Sequence, residues 1–177
     1  YITQRVYCGK GKMKIFLCGF SGAGKTTLLS ELKGEKFLKD FAFIDLDNYI
    51  EQEYAEGLEL GDFIRLNGME YFRGLELEAL KKLSKREHII VALGGGALNE
   101  ATINLLQSDW KGIFLNIDFE TCWNRIQGDE NRPLVMGGRG KLESLYEERF
   151  FYYNQFKSLK SRREVVNLSL IHISEPT

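Results

Sequence analysis

The chain has 177 residues, 44% of them hydrophobic, which suits one domain with a buried core and excludes a disordered chain. Its 24 basic and 25 acidic residues are interspersed and leave a net charge of −1, so neither nucleic acid nor an anionic membrane is an expected partner. The 3 cysteines have no C-x-x-C spacing and read as free thiols of a reducing compartment, and 2 histidines are too few for a zinc site.

Residues 1–12 have neither helical nor alternating periodicity and precede Met13, so they are expected to be a non-native leader. From Lys14 onward the pattern is strand, glycine-rich loop, helix, repeated. An apolar strand over 15–18 runs into Gly19, and a helix over 25–32 follows. A second strand over 41–44 ends at Asp45. Helices over 62–66 and 69–83 are separated by the stop signal Asn67-Gly68. A strand over 89–93 runs into Gly94-Gly95-Gly96, and a strand over 113–117 precedes a helix over 119–126. The segment 128–140, with Gly137, Gly138 and Gly140, is expected to be a mobile lid. A long helix over 142–160 and a last strand over 164–168 complete the pattern. Strands alternating with helices predict an α/β protein whose parallel sheet is covered on both faces. Ligands of such sheets bind beyond the carboxyl ends of the strands. No apolar run approaches the roughly 20 residues of a membrane helix and no signal peptide is visible, so a cytoplasmic location is expected.

Gly19-Phe20-Ser21-Gly22-Ala23-Gly24-Lys25-Thr26 satisfies G-x-x-x-x-G-K-[ST] and stands between a strand and a helix, where that motif works. Its glycines let backbone N–H groups converge on phosphate oxygens, and the helix N-terminus adds positive potential. Lys25 can reach the β- and γ-phosphates, and the Thr26 hydroxyl can ligate Mg²⁺. Gly22, Ala23, Gly24, Lys25, Thr26 and Thr27 form the expected ATP-binding set. Such a loop does not name the phosphoryl acceptor.

Asp45 and Asp47 follow the second strand. They suit a metal ligand and an acceptor of substrate hydroxyl hydrogen bonds, or else caps for a helix after Asn48. Arg149 falls on the apolar stripe Leu142, Leu145, Tyr146, Tyr153, Phe156, and Arg73 lies beside the stripe Phe72, Leu75, Ala79, Leu83. A guanidinium facing the interior needs an anion. The two could clamp a carboxylate, or each could make a structural ion pair with an internal acid. The triple glycine allows a close backbone approach to a ligand, or simply a tight turn.

Taken in order, these motifs, with Ile50-Glu51, Phe72-Arg73 before Glu76, and Arg132-Pro133-Leu134, resemble the shikimate kinase family from Met13 to about Leu168. The resemblance implies a three-layer, nucleoside-monophosphate-kinase-like P-loop fold with five parallel strands in the order 2-3-1-4-5 and a mobile lid. It implies ATP-dependent phosphorylation of a shikimate hydroxyl by a monomer that uses Mg²⁺ held by Thr26 and Asp45. Asp47 would bind shikimate hydroxyls and act as base. Arg73, Arg149 and the backbone of Gly95 and Gly96 would complete the acceptor site, the arginines on its carboxylate. Arg132 would swing in with the lid as a catalytic and ATP-binding residue, and Arg125 would flank the adenine. Ser21 departs from the Met usual in the family. The chain also departs after its last strand, where residues 170–177 are expected to be a non-native tail and 13–169 the single kinase domain. Rival readings are a gluconate or nucleoside-monophosphate kinase, and a non-catalytic nucleotide-binding homologue.

Overall fold

Lys14 to Cys18 is apolar after its first residue, as a strand buried on both faces must be. In the computed structural model, which describes residues 12–129, 135–161 and 164, this segment is the middle strand of a five-stranded sheet. The strands are β1 (Met13–Cys18), β2 (Ala42–Asp45), β3 (His88–Ala92), β4 (Trp110–Leu115) and β5 (Lys157–Leu159). Their order is β2-β3-β1-β4-β5, all pairs parallel, with Phe16 opposite Val91 on one side and Gly112 on the other. Every residue of β1 is buried, and the one lysine, Lys14, reaches out to Asp109 at 3.1 Å.

The helices are α1 (Lys25–Lys33), α2 (Leu46–Tyr54), α3 (Leu60–Asn67), α4 (Met69–Leu83), α5 (Glu100–Asp109), α6 (Phe119–Ile126) and α7 (Arg139–Tyr153). α4 turns Phe72, Leu75, Glu76, Ala79, Leu80 and Leu83 inward, an i, i+3, i+4 stripe broken by one carboxylate. Each Leu or Phe buried in this way contributes roughly 1.5–3 kcal/mol.

The α/β class, the parallel sheet and its strand order are as expected. Four elements differ, α2, α5, α7 and β5. α2 begins at Leu46 rather than after Asn48, because Asp45 itself caps it by accepting from Asn48 N at 3.2 Å. α5 lies in a stretch read without an element; Asn99 starts it with a capping box closed by Thr102. The long helix expected over 142–160 instead starts at Arg139 and ends at Tyr153, and β5 occupies 157–159. Phe156 matches helical spacing, yet it lies past the helix end and sets its ring edge-on to Phe16 at 4.8 Å, above Gly112. It packs as a residue leading into an edge strand. Of the strand expected over 164–168 only Glu164 is described, and it is helical. Within the segment 128–140 expected as a lid, Val135–Gly137 forms a helical turn and α7 begins at Arg139. The proposed leader apart from Lys12, the proposed tail, and Arg132 lie outside the described residues.

Candidate active site

The phosphate loop leaves the carboxyl end of β1 and closes on the first turn of α1. All three of its glycines are required by the backbone, Gly19 with φ 147. Gly22 has φ 84 and Gly24, the N-cap of α1, has φ 96. A Cβ on Gly22 would also meet the carbonyl oxygen of Cys122 at 2.8 Å. Ala23 packs its methyl into the core, and Thr27 is exposed on the first turn. Lys25 is buried, its Nζ donating to the carbonyls of Gly19 at 2.6 Å and Phe20 at 3.0 Å. Burial pulls its pKa below the usual lysine range, against the attraction of Asp47 and Asp45.

Thr26 Oγ1 donates to Asp45 Oδ2 at 2.7 Å. The cap and the metal-facing role foreseen for Asp45 are thus compatible, since a different oxygen serves each. Arg125 reaches over from α6 and donates to the Gly22 carbonyl at 2.8 Å. A cavity of about 410 Å³ opens here, bounded by the phosphate loop, Arg125, Asp47, Gly94 and Gly95. The loop expected to hold ATP and the aspartate expected to meet the acceptor therefore share one space.

Beyond β3, each of the three glycines leaves room for a particular side chain. A Cβ on Gly94 would come within 2.5 Å of Asp47 Oδ1. One on Gly95 would stand 3.2 Å from Arg149 Nη1 and from Ser21 Oγ, and one on Gly96 would overlap Arg73 Nη2 and lie 2.7 Å from Arg149 Nη2. The turn is glycine because the polar side chains of Asp47, Ser21, Arg73 and Arg149 lie directly on its backbone.

Arg73 pairs with Glu76 at 2.6 Å, so the internal ion pair considered for Arg73 exists. It does not neutralise the site. Glu76 is wholly buried, and desolvation pushes its carboxyl up to about 7, against the pull of Arg73. Arg149 stacks over Phe20 at 5.8 Å and has no ion-pair partner among the described residues. Its Nη1 is buried without a hydrogen-bond partner, and burial, with the nearby charge of Arg73, disfavours its protonated form. The two guanidiniums converge with Glu76 hydrogen-bonded to Arg73 and with no described carboxylate paired with Arg149. That arrangement calls for a further anion.

Of the residues singled out beforehand, Asp47, Arg73, Gly95, Gly96 and Arg149 come together at the glycine turn. Gly22, Ala23, Gly24, Lys25, Thr26, Thr27, Asp45 and Arg125 gather around the phosphate loop. Ser21, the departure from the family's usual Met, lines the cavity. Glu76 had been given no role, although its place one turn after Arg73 on an inward stripe was a usable signal.

A phosphate loop after the central strand of a β2-β3-β1-β4-β5 parallel sheet defines the class, a P-loop nucleotide-binding protein of the α/β type. The model of the shikimate kinase family matches residues 21–168. The shikimate kinase of Aquifex aeolicus is 32% identical over 166 residues, covering 91% of this chain and 96% of the relative. Its crystal structure superposes with a TM-score of 0.77. The Acinetobacter baumannii shikimate kinase, solved in complex with shikimate, has a TM-score of 0.77 at 26% identity, covering 94% of this chain and 97% of its own. Deoxyadenosine kinase from M. mycoides, at 18% identity and a TM-score of 0.56 over 92% of this chain and 100% of its own, shares the fold alone. This chain belongs to the shikimate kinase family and is a kinase.

Proposed function

We propose that the chain transfers the γ-phosphoryl group of ATP to a hydroxyl of shikimate, giving shikimate 3-phosphate and ADP. The observation that carries this reading is the pair of converging guanidiniums, Arg73 and Arg149, beside Gly95 and Gly96 and one cavity away from the phosphate loop. A carboxylated acceptor fits that charge; gluconate carries a carboxylate as well, and it is the shikimate kinase relatives that favour shikimate over it.

In this reading Lys25 leaves the loop carbonyls for the β- and γ-phosphate oxygens, and backbone N–H groups from Gly22 to Thr27 cradle the phosphates. Asp47 receives the proton of the attacking hydroxyl as its oxygen bonds to the γ-phosphorus and the bond to the β,γ-bridging oxygen breaks in line. Arg73 and Arg149 orient the acceptor through its carboxylate, with Gly95 and Gly96 against it. Arg125 flanks the adenine. Arg132 is assigned to the segment 128–140, acting as a lid of the domain 13–169. Thr26 and Asp45 offer a hydroxyl and a carboxylate oxygen side by side, hard donors that fit Mg²⁺. Bound there, Mg²⁺ would neutralise phosphate charge. We place the enzyme in the cytoplasm as a monomer; among the described residues no helix is long and apolar enough to cross a membrane.

The test is ADP release with shikimate, gluconate and nucleoside monophosphates in turn. Release should require shikimate and Mg²⁺. Equal rates with either alternative acceptor would overturn the assignment.

A further inference from the structure

α7 directs a second polar group at the glycine turn. Tyr153 follows Arg149 by four residues, so both leave the same face of the helix. Its ring is 2% exposed and packs on Phe114 of β4, centroids 5.3 Å apart. A phenol buried that deeply must find a hydrogen-bond partner. Its hydroxyl donates to the carbonyl oxygen of Gly95. Burial pushes its pKa well above the ordinary tyrosine value, against the pull of Arg149, so it is a neutral donor throughout the physiological range.

This bond acts on the next residue. The carbonyl of Gly95 and the N–H of Gly96 belong to one planar trans peptide and point in opposite directions. Fixing the carbonyl on Tyr153 therefore fixes the direction of the Gly96 N–H, which has no acceptor among the described residues. Three successive glycines have no side chains to hold such a peptide, and their backbone rotates freely. The turn's own bond, Ala97 N to Gly94 O at 3.1 Å, brackets the Gly95–Gly96 peptide without holding it.

We infer that Tyr153 is a positioning residue: by holding the Gly95 carbonyl it sets the spacing between the Gly96 N–H and Arg149, and so the affinity for the acceptor carboxylate. It touches neither substrate. The inference rests on the proposed acceptor site, and its test separates the two.

Tyr153→Phe keeps the ring and removes the hydroxyl. The expected result is a shikimate KM raised about fivefold, the scale of one lost hydrogen bond, with kcat and the ATP KM within about twofold of wild type. Phe114→Leu loosens the same ring packing but keeps the hydroxyl; it should lower the melting temperature and leave the shikimate KM unchanged. If Tyr153→Phe leaves the shikimate KM at the wild-type value, or if Phe114→Leu raises it equally, Tyr153 is a core residue only and the inference fails. Arg149→Ala is measured alongside. A raised shikimate KM there with none in Tyr153→Phe rejects the positioning role alone, and an unchanged KM in Arg149→Ala rejects the acceptor site and this inference together.

Discussion

Gly96→Ala puts one methyl group where two guanidiniums meet the glycine turn. The added Cβ would stand 2.7 Å from Arg149 Nη2, against an ordinary contact of 3.4–4 Å, and would overlap Arg73 Nη2. Arg149 must therefore retreat by about 0.7 Å or more and Arg73 further. Both atoms end flexible side chains, so the backbone can stay in place and the fold should lose little stability. The carboxylate clamp should not survive. A charge-assisted hydrogen bond contributes about 1.5–3 kcal/mol, so losing one weakens the acceptor roughly 10–150-fold. Initial rates of ADP release, with shikimate varied at saturating ATP, read this as a raised shikimate KM beside an unchanged ATP KM. A melting curve on the same sample checks the fold. A shikimate KM within about twofold of wild type in a folded variant would refute the argument, because the arginines would then not be acting from their present positions.

Lys25→Ala should lower kcat by about 10²–10³-fold or more, since it removes the donor proposed for the β- and γ-phosphates; substantial turnover would displace Lys25 from its role. Asp45→Asn keeps a good N-cap for α2 but loses the charge, so the melting temperature should hold while the Mg²⁺ concentration for half-maximal rate rises; an unchanged Mg²⁺ dependence would remove Asp45 from the metal site. Glu76 is held up to about 7 by burial, so between its unfolded value of 4.5 and 7 the folded state binds the extra proton and stability falls as pH rises. Over that window the group should cost about 3 kcal/mol, and the excess stability of wild type over Glu76→Gln should shrink from pH 4.5 to 7 and then level off; parallel curves would contradict this.

Strands β1 to β4 and the phosphate loop were legible because their signals are local. An apolar run followed by glycines and Lys-Thr can hardly be anything else, and α6 matches its expected bounds at both ends, Phe119 and Ile126. The arginines were legible through their misfit, charged groups on apolar stripes. What escaped depended on contacts across the fold. Phe156 continues the spacing of α7, and only its seat against Phe16 at the sheet shows that the helix has already ended. Tyr153 reads as one more apolar stripe residue, because periodicity reports where the ring goes and says nothing of its hydroxyl. Asn99 and Thr102 did carry a helix-start signal for α5, but Leu98 and the residues after it lacked a stripe strong enough to draw attention to it.

The two halves of the site differ in when the chain can build them. β1 is framed by β3 and β4, so the phosphate loop has both sheet neighbours once Leu115 has been synthesised. The acceptor clamp also needs Arg149, with Tyr153 just behind it on α7, and neither exists at that point. At roughly 5–20 residues per second the interval to Arg149 is about 2–7 s. Under the proposed function, a nucleotide-binding half then precedes the acceptor clamp during translation, and shikimate would be recognised only after α7 has docked. Binding of the acceptor would consequently report closure between β1 and the much later α7, whereas binding of ATP would not.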